Sequence, residues 1–196
     1  RQARLVEPLP RAGTVRVSVT PSPEPDRWKV DVACRDTDGL LAHLAEVFTA
    51  HGLPIASAGI ATWPDGAVLD SFEVIASSRP PARDLALAFE AKLKSKLTLV
   101  AMPGLALDFD NAALPWHTSV VVSGPDRLGV LQAVTAAFAA AEVVVHTARV
   151  ATSGDVVNDR FAVSDRVGRK LADDSIERIR RTLADGAVPR RRGRTR

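Results

Sequence analysis

Two short loops of this chain place aspartates and a glycine directly before an apolar helical pattern. The first reads Asp36-Thr37-Asp38-Gly39-Leu40-Leu41, and the second reads Asp126-Arg127-Leu128-Gly129-Val130-Leu131. The first turn of a helix presents N–H groups without intrahelical partners, so it attracts an anion. Glycine lets a ligand approach the backbone, and a carboxylate can pair with an ammonium group. Both loops therefore have the parts that would hold a free amino acid by its two charged ends.

The candidate ligand-binding residues are the loop members nearest each helix start. They are Asp126, Arg127, Leu128, Gly129 and Val130 in the second loop, and Asp36, Asp38, Gly39 and Leu40 in the first. We rank the second loop higher, because Asp38 adds a negative charge where a carboxylate would bind and Arg127 adds a positive one. The alternative interpretation needs no ligand: aspartate caps the helix and glycine makes the turn.

The two loops belong to a repeat with a period of ninety residues. The subtraction is uniform: 129 − 39 = 90 for the glycines and 126 − 36 = 90 for the leading aspartates. After one deletion the offset becomes 89, which pairs Asp70 with Asp159 in the same slot of a predicted strand, two residues before a phenylalanine. We predict a structural hydrogen bond for these aspartates, with a ligand-binding role as the alternative. One register held over such a span indicates two copies of one structural unit, which favours sensing or binding over catalysis.

Each copy changes its periodicity in the same order. In the first, alternation predicts strands at 15–19 and 30–34, and apolar spacing predicts a helix over 40–48. Strands at about 55–62 and 68–76 follow, and then a helix with Leu85, Phe89, Leu93 and Leu97 on one face. Two helices on one face of an antiparallel sheet make an α+β, ferredoxin-like unit.

Each unit begins with an extra strand in place of the last strand of that fold. Only Gly186, Ala187, Val188 and an arginine-rich stretch follow the final helix, and they cannot supply a closing strand. The initial strands, 15–19 and 105–109, are therefore predicted at sheet edges, or paired with each other across the units. We predict units at 14–100 and 104–186 that pack together, with flexible tails at 1–13 and 187–196.

Composition places the chain among ordinary globular proteins, with 46% hydrophobic and 25% charged residues. The net charge of +3 comes from the arginines after Pro189, and no aromatic residue is interleaved with them, which disfavours nucleic-acid binding. We find no apolar run of the roughly 20 residues that span a membrane. The single cysteine, Cys34, fits a reducing cytoplasm. Since the chain starts without methionine, we expect it to be part of a longer protein.

Catalytic patterns are not found in this sequence. The four histidines have no metal-ligand spacing, and neither a P-loop nor a Gly-x-Ser-x-Gly elbow occurs. We therefore expect no catalytic residue, no metal and no cofactor in this chain.

The aspartate–glycine loops, the segment 55–62 and the segment 65–74 resemble the ACT domain, an amino-acid-sensing module. The tandem, carried by 107–112, 117–122 and 126–131, resembles the C-terminal ACT pair of bacterial PII uridylyltransferases. That resemblance implies a glutamine-sensing region attached to catalytic domains that modify the PII protein in nitrogen regulation. It also implies ferredoxin-like ACT modules and association with further copies. Both loops depart from the usual Asp-Arg-Pro-Gly of the family.

Two other interpretations are open. Tandem ACT pairs also form stand-alone regulators, and a pair without a ligand could serve only to dimerise a larger protein.

Overall fold

The computed structural model describes residues 3–63 and 65–187. Its elements follow in the order α1 (Ala3–Val6), β1 (Arg16–Pro21), β2 (Arg27–Arg35), α2 (Leu40–Ala50), β3 (Ile55–Gly59), β4 (Ala67–Ile75), α3 (Ala82–Lys92), β5 (Ala106–Asp110), β6 (Thr118–Pro125), α4 (Val130–Ala140), β7 (Val144–Ser153), β8 (Val156–Ser164) and α5 (Asp173–Asp185). Below, the first unit means β1–β4 with α2 and α3, and the second unit means β5–β8 with α4 and α5.

All eight strands form one antiparallel sheet in the order β1-β2-β4-β3-β7-β8-β6-β5. The predicted α+β class with ferredoxin-like units is confirmed. The initial strand of each unit forms a hairpin with the next strand, β1 with β2 and β5 with β6, and lies at an edge of the sheet. The edge position predicted for these strands is thus confirmed.

The units join through β3 and β7 rather than through their initial strands. The antiparallel register pairs Ser57 with Ala151, Ala58 with Val150 and Gly59 with Arg149. On the helical face, α2 packs on α4. We call this junction the seam. Because equivalent strands pair antiparallel, an approximate two-fold axis relates the units.

The core of each unit lies between the sheet and its helices. Phe48 of α2 is fully buried, with its ring 4.7 Å from that of Phe72 and 5.3 Å from that of Phe89. In the second unit, the ring of Phe138 lies 5.3 Å from that of Phe161. Aromatic rings at these distances contribute to packing beyond their buried area, and they hold the last turns of α2 and α4 in the core.

One predicted helix is shorter in the structure. Helix α3 ends at Lys92, so Leu97 lies in the connection between the units instead of on the helix. Within the segment 1–13, for which the sequence predicts a flexible tail, α1 contacts β1, β2 and β4, and the Leu5 carbonyl accepts a hydrogen bond from Arg16 at 2.9 Å. The predicted tail at 187–196 lies, beyond Ala187, outside the described residues.

Within the described part of the chain, no helix has both the length and the apolar character to cross a membrane.

Candidate functional site

A glycine in the left-handed conformation directly precedes each of the helices α2 and α4. Gly39 has φ 71° before α2, and Gly129 has φ 92° before α4. At neither of these two helix starts does a side chain cap the helix, so aspartate capping does not account for the loops. The Leu40 and Val130 amides donate to the Thr37 and Arg127 carbonyls at 3.0 and 3.2 Å. The next two amides of each helix have no acceptor within the helix.

A cavity of about 440 Å³ opens beside the first of these loops. We call it the first cavity. Its walls from the first unit include the loop and the strand residues Val68 and Asp70. The second unit supplies the opposite wall, through the end of α4, the start of β7 and Arg166.

A second cavity of about 210 Å³ lies beside the other loop. Here the first unit supplies the opposite wall, with Thr49 at the end of α2 and Ile55 at the start of β3. The two cavities are thus reciprocal across the seam. Of the predicted site residues, the structure gathers Asp36, Asp38, Gly39 and Leu40 around the first cavity and Asp126, Arg127, Leu128, Gly129 and Val130 around the second. It does not bring the two sets together.

Asp70 lies beneath the first cavity with 1% of its surface exposed. Neither of its carboxyl oxygens has a hydrogen-bond partner within the described part of the chain. Burial, and secondarily the charge of Asp36, raise the pKa of Asp70 to about 8. The Ala61 amide is near enough to offset part of that rise, but its geometry falls short of a hydrogen bond. The structural hydrogen bond predicted for Asp70 is therefore approached by the Ala61 amide but not completed.

Asp159 is the equivalent residue beneath the second cavity, and it is also 1% exposed. Its Oδ1 accepts a hydrogen bond from the Ala151 amide at 3.1 Å. Burial raises the pKa of Asp159 to about 6, with a smaller contribution from the charge of Asp126. The predicted structural hydrogen bond is therefore present in the second unit.

The loop carboxylates differ in their surroundings. Burial raises the pKa of Asp36, although a hydrogen bond from the Thr37 amide partly opposes the shift. Asp38 pairs with Arg166 at 3.1 Å, with the two side chains 88% and 55% exposed. The negative charge that Asp38 adds is thus balanced across the cavity mouth. Arg127, in contrast, donates to the Pro103 carbonyl at 3.3 Å.

Arg166 is the main site residue that the sequence does not reveal. It lies 128 residues from Asp38 and belongs to the other unit, so no local spacing links the pair. Leu97 is a second such residue, because a Cβ on Gly39 would lie 2.9 Å from Leu97 Cδ1. At Gly129 the nearest atom would be Thr49 Cγ2 at 3.4 Å. The first loop is therefore the more closely packed of the two.

No group of three or more His, Cys, Asp or Glu side chains in 3–63 and 65–187 is arranged to hold a metal ion.

Comparison with known proteins relates the second unit to one domain family and most of the chain to part of a larger enzyme. A family model described as the ACT domain matches residues 118–184. The chain is 33% identical, over 87% of its length, to 21% of a bifunctional uridylyltransferase/uridylyl-removing enzyme from Rhodospirillum rubrum. The enzyme of the same name from Gluconobacter oxydans is 29% identical in an alignment that covers 93% of this chain and 22% of that enzyme.

The chain therefore spans about a fifth of the length of these relatives. A crystal structure of aspartate kinase from Synechocystis aligns with 81% of this chain and 26% of its own, at 18% identity and a TM-score of 0.45. That likeness is too distant to support a functional argument.

Proposed function

Because the second unit is an ACT domain and the first unit repeats it in a chain related to uridylyltransferases, we propose that this region binds an amino acid and regulates attached catalytic domains. The proposed ligand is glutamine. The proposed parent is a cytoplasmic PII nucleotidyltransferase, with the PII protein as its substrate. The relatives' names, which describe uridylyl transfer and removal, support this parent.

The observation that carries the proposal is that each loop faces the opposite unit across a cavity. In the first cavity, the first-turn amides of Leu41 and Ala42 are available for a carboxylate, and Asp36 is placed for an ammonium group. A ligand held there touches both units. It therefore stabilises one arrangement of the units over others, which is what regulation of attached domains requires.

Cavity size favours the first site as the principal one. Small-molecule pockets usually have volumes of about 300–1,000 Å³. The first cavity, at about 440 Å³, falls within this range, and the second, at about 210 Å³, falls below it. The sequence analysis favours the second loop, because Asp38 adds a negative charge to the first one. In the structure Arg166 pairs with Asp38, so this charge no longer disfavours a carboxylate at the first loop.

Calorimetry of this chain with glutamine tests the proposal. Glutamine has about ten heavy atoms, and at roughly 0.5 kcal/mol per atom the binding free energy is about 5 kcal/mol. We therefore expect a Kd of hundreds of micromolar. Asp36→Ala should weaken binding by about 1–3 kcal/mol, roughly 5- to 150-fold, through loss of a charged hydrogen bond. Asp126→Ala should change the affinity much less.

Asp108→Ala is the matched control, because Asp108 is exposed on β5 and lines neither cavity. Circular dichroism shows whether each variant is folded. The absence of heat with millimolar glutamine would contradict the function. An unchanged affinity in folded Asp36→Ala would contradict the placement of the ligand.

A further inference from the structure

Asp70 sets the first cavity apart from the rest of the interior. Among the buried carboxyl groups of 3–63 and 65–187, Asp70 alone has both oxygens without a hydrogen-bond partner. Leaving a buried polar group unsatisfied costs about 1–3 kcal/mol, so native structures rarely do it without a reason. The carboxyl group borders the same cavity as the open amides of α2, and these two features together indicate a ligand.

The surroundings of Asp70 decide which ligand group fits. Apolar side chains, among them Ile60, Val68 and Leu41, form much of the cavity wall. The titratable groups nearest to it are Asp36 on the loop and Cys34 on β2, whose thiol has a pKa raised to about 12, mainly by burial. The cation at this cavity, Arg166, is paired with Asp38 at the mouth. Nothing described around Asp70 supplies a positive charge to hold it ionised.

We propose that Asp70 is the specificity residue of this site and that its carboxyl group binds a neutral carboxamide side chain of the ligand. This inference rests on the function proposed above. An uncharged carboxyl group has one O–H donor and a carbonyl acceptor, while a primary carboxamide has a carbonyl acceptor and N–H donors. The two groups can form two parallel hydrogen bonds. The site would then distinguish glutamine from glutamate.

The same argument excludes the other side chains of similar size. A carboxylate can accept the O–H of Asp70 but leaves its carbonyl oxygen without a donor and is repelled by Asp36, while an ammonium group offers no acceptor for that O–H. Sites built to satisfy a polar group discriminate strongly against analogues that leave it unpaired.

The test measures glutamine and glutamate binding by calorimetry with the full chain and three variants. Asp70→Asn keeps one donor and one acceptor, so it should retain the glutamine affinity to within a few-fold. Asp70→Leu removes both and should weaken glutamine binding by about tenfold or more. Asp108→Asn, an exposed change on β5 that borders neither cavity, is the control and should leave the affinity unchanged.

The pH dependence gives a readout that a purely structural role would not change. Since the pKa of Asp70 is about 8, its protonated fraction falls by about fourfold between about pH 6.5 and about pH 8.5. Between these two pH values, the glutamine affinity of the wild type should therefore fall by up to about fourfold more than the affinity of Asp70→Asn. The variant lacks the Asp70 carboxyl group, so its affinity changes only through titration of the ligand itself.

The outcomes separate this inference from the function on which it rests. Failure of the wild type to bind glutamine overturns both. Glutamine binding that is unchanged in Asp70→Leu, or lost in Asp70→Asn, overturns the inference alone, and the second result would show that the carboxyl group binds an ammonium instead. Equal affinity for glutamate and glutamine would also overturn it. If Asp70→Leu does not fold, Asp70→Asn and the pH dependence decide the question.

Discussion

The first and second cavities are made from equivalent elements on opposite sides of one seam, yet their buried aspartates differ in their hydrogen bonds. Asp159 accepts a hydrogen bond from the Ala151 amide, whereas Asp70 accepts none. The first cavity is also about twice as large, at about 440 Å³ against about 210 Å³. The comparison indicates that a repeat can preserve the backbone of a site in both copies while only one copy keeps its polar groups free for a ligand.

Replacing Phe48 or Phe138 with alanine should have the largest effect on the unfolding free energy. Comparing the two variants should show whether the cores of the two units are equally stable. Truncating a buried phenylalanine to alanine usually costs about 3–5 kcal/mol of unfolding free energy. Phe48 contacts two other aromatic rings and Phe138 contacts one. Urea denaturation should therefore place Phe48→Ala near the upper end of that range and Phe138→Ala nearer the lower end.

Leu87→Ala is the control for this pair, because Leu87 is 56% exposed on α3. It should change the unfolding free energy by less than about 0.5 kcal/mol. A greater loss from Phe138→Ala than from Phe48→Ala would show that ring contacts do not rank the two cores.

The pH dependence of stability should separate the two buried aspartates next. Both have pKa values above the ordinary value of 3.8, about 8 for Asp70 and about 6 for Asp159. Each protonated carboxyl contributes stability that is fully present below pH 3.8 and is lost as pH rises through the folded-state pKa. Relative to wild type, Asp159→Asn should gain stability only up to about pH 6, and Asp70→Asn should continue to gain up to about pH 8.

Unfolding free energies measured at intervals between about pH 4 and pH 9 test this, because other titrations cancel in the difference from wild type. Asp108→Asn, an exposed change, should show no such trend. Identical pH profiles for Asp70→Asn and Asp159→Asn would mean that the missing hydrogen bond of Asp70 has no energetic consequence.

The smallest effect is expected from the arginines nearest the two loops. The pair of Arg166 and Asp38 is largely exposed, so Arg166→Ala should cost less than about 1 kcal/mol of unfolding free energy. Arg127→Ala should cost a similar amount, because it removes one exposed hydrogen bond to the Pro103 carbonyl. In about 1 M salt the Arg166 effect should disappear, since the screening length falls to about 3 Å. The Arg127 effect should persist because its partner is uncharged, and equal salt dependence would contradict this distinction.

The sequence predicts features that depend on one unit and misses those that depend on both. Alternation and helical spacing identify β2 and α2, and the ninety-residue offset identifies the second copy. Each unit, however, has two exposed strand edges, β1 and β3 in the first, and alternation does not determine which of them will pair with the other unit. The β3–β7 pairing was therefore not predicted.

The candidate site follows the same rule. The loop residues from Asp36 to Leu40 were found from their own spacing, and they line a cavity. Arg166 and Leu97 were missed because each reaches the site from elsewhere in the fold, one across the seam and one along the connection between the units. The repeat identifies Asp70, but its lack of a hydrogen-bond partner depends on the position of the Ala61 amide, which the sequence does not specify.

The antiparallel pairing of Ser57–Gly59 with Arg149–Ala151 has a mechanical consequence. Because an approximate two-fold axis relates the units, a movement that brings both units symmetrically closer to that axis narrows both cavities together. The two pockets then share one degree of freedom, so each would respond to whatever occupies the other. By reciprocity, the factor by which a compound in the second cavity changes the affinity of the first cavity for its ligand equals the factor by which that ligand changes the affinity for the compound, even if the two molecules have no chemistry in common.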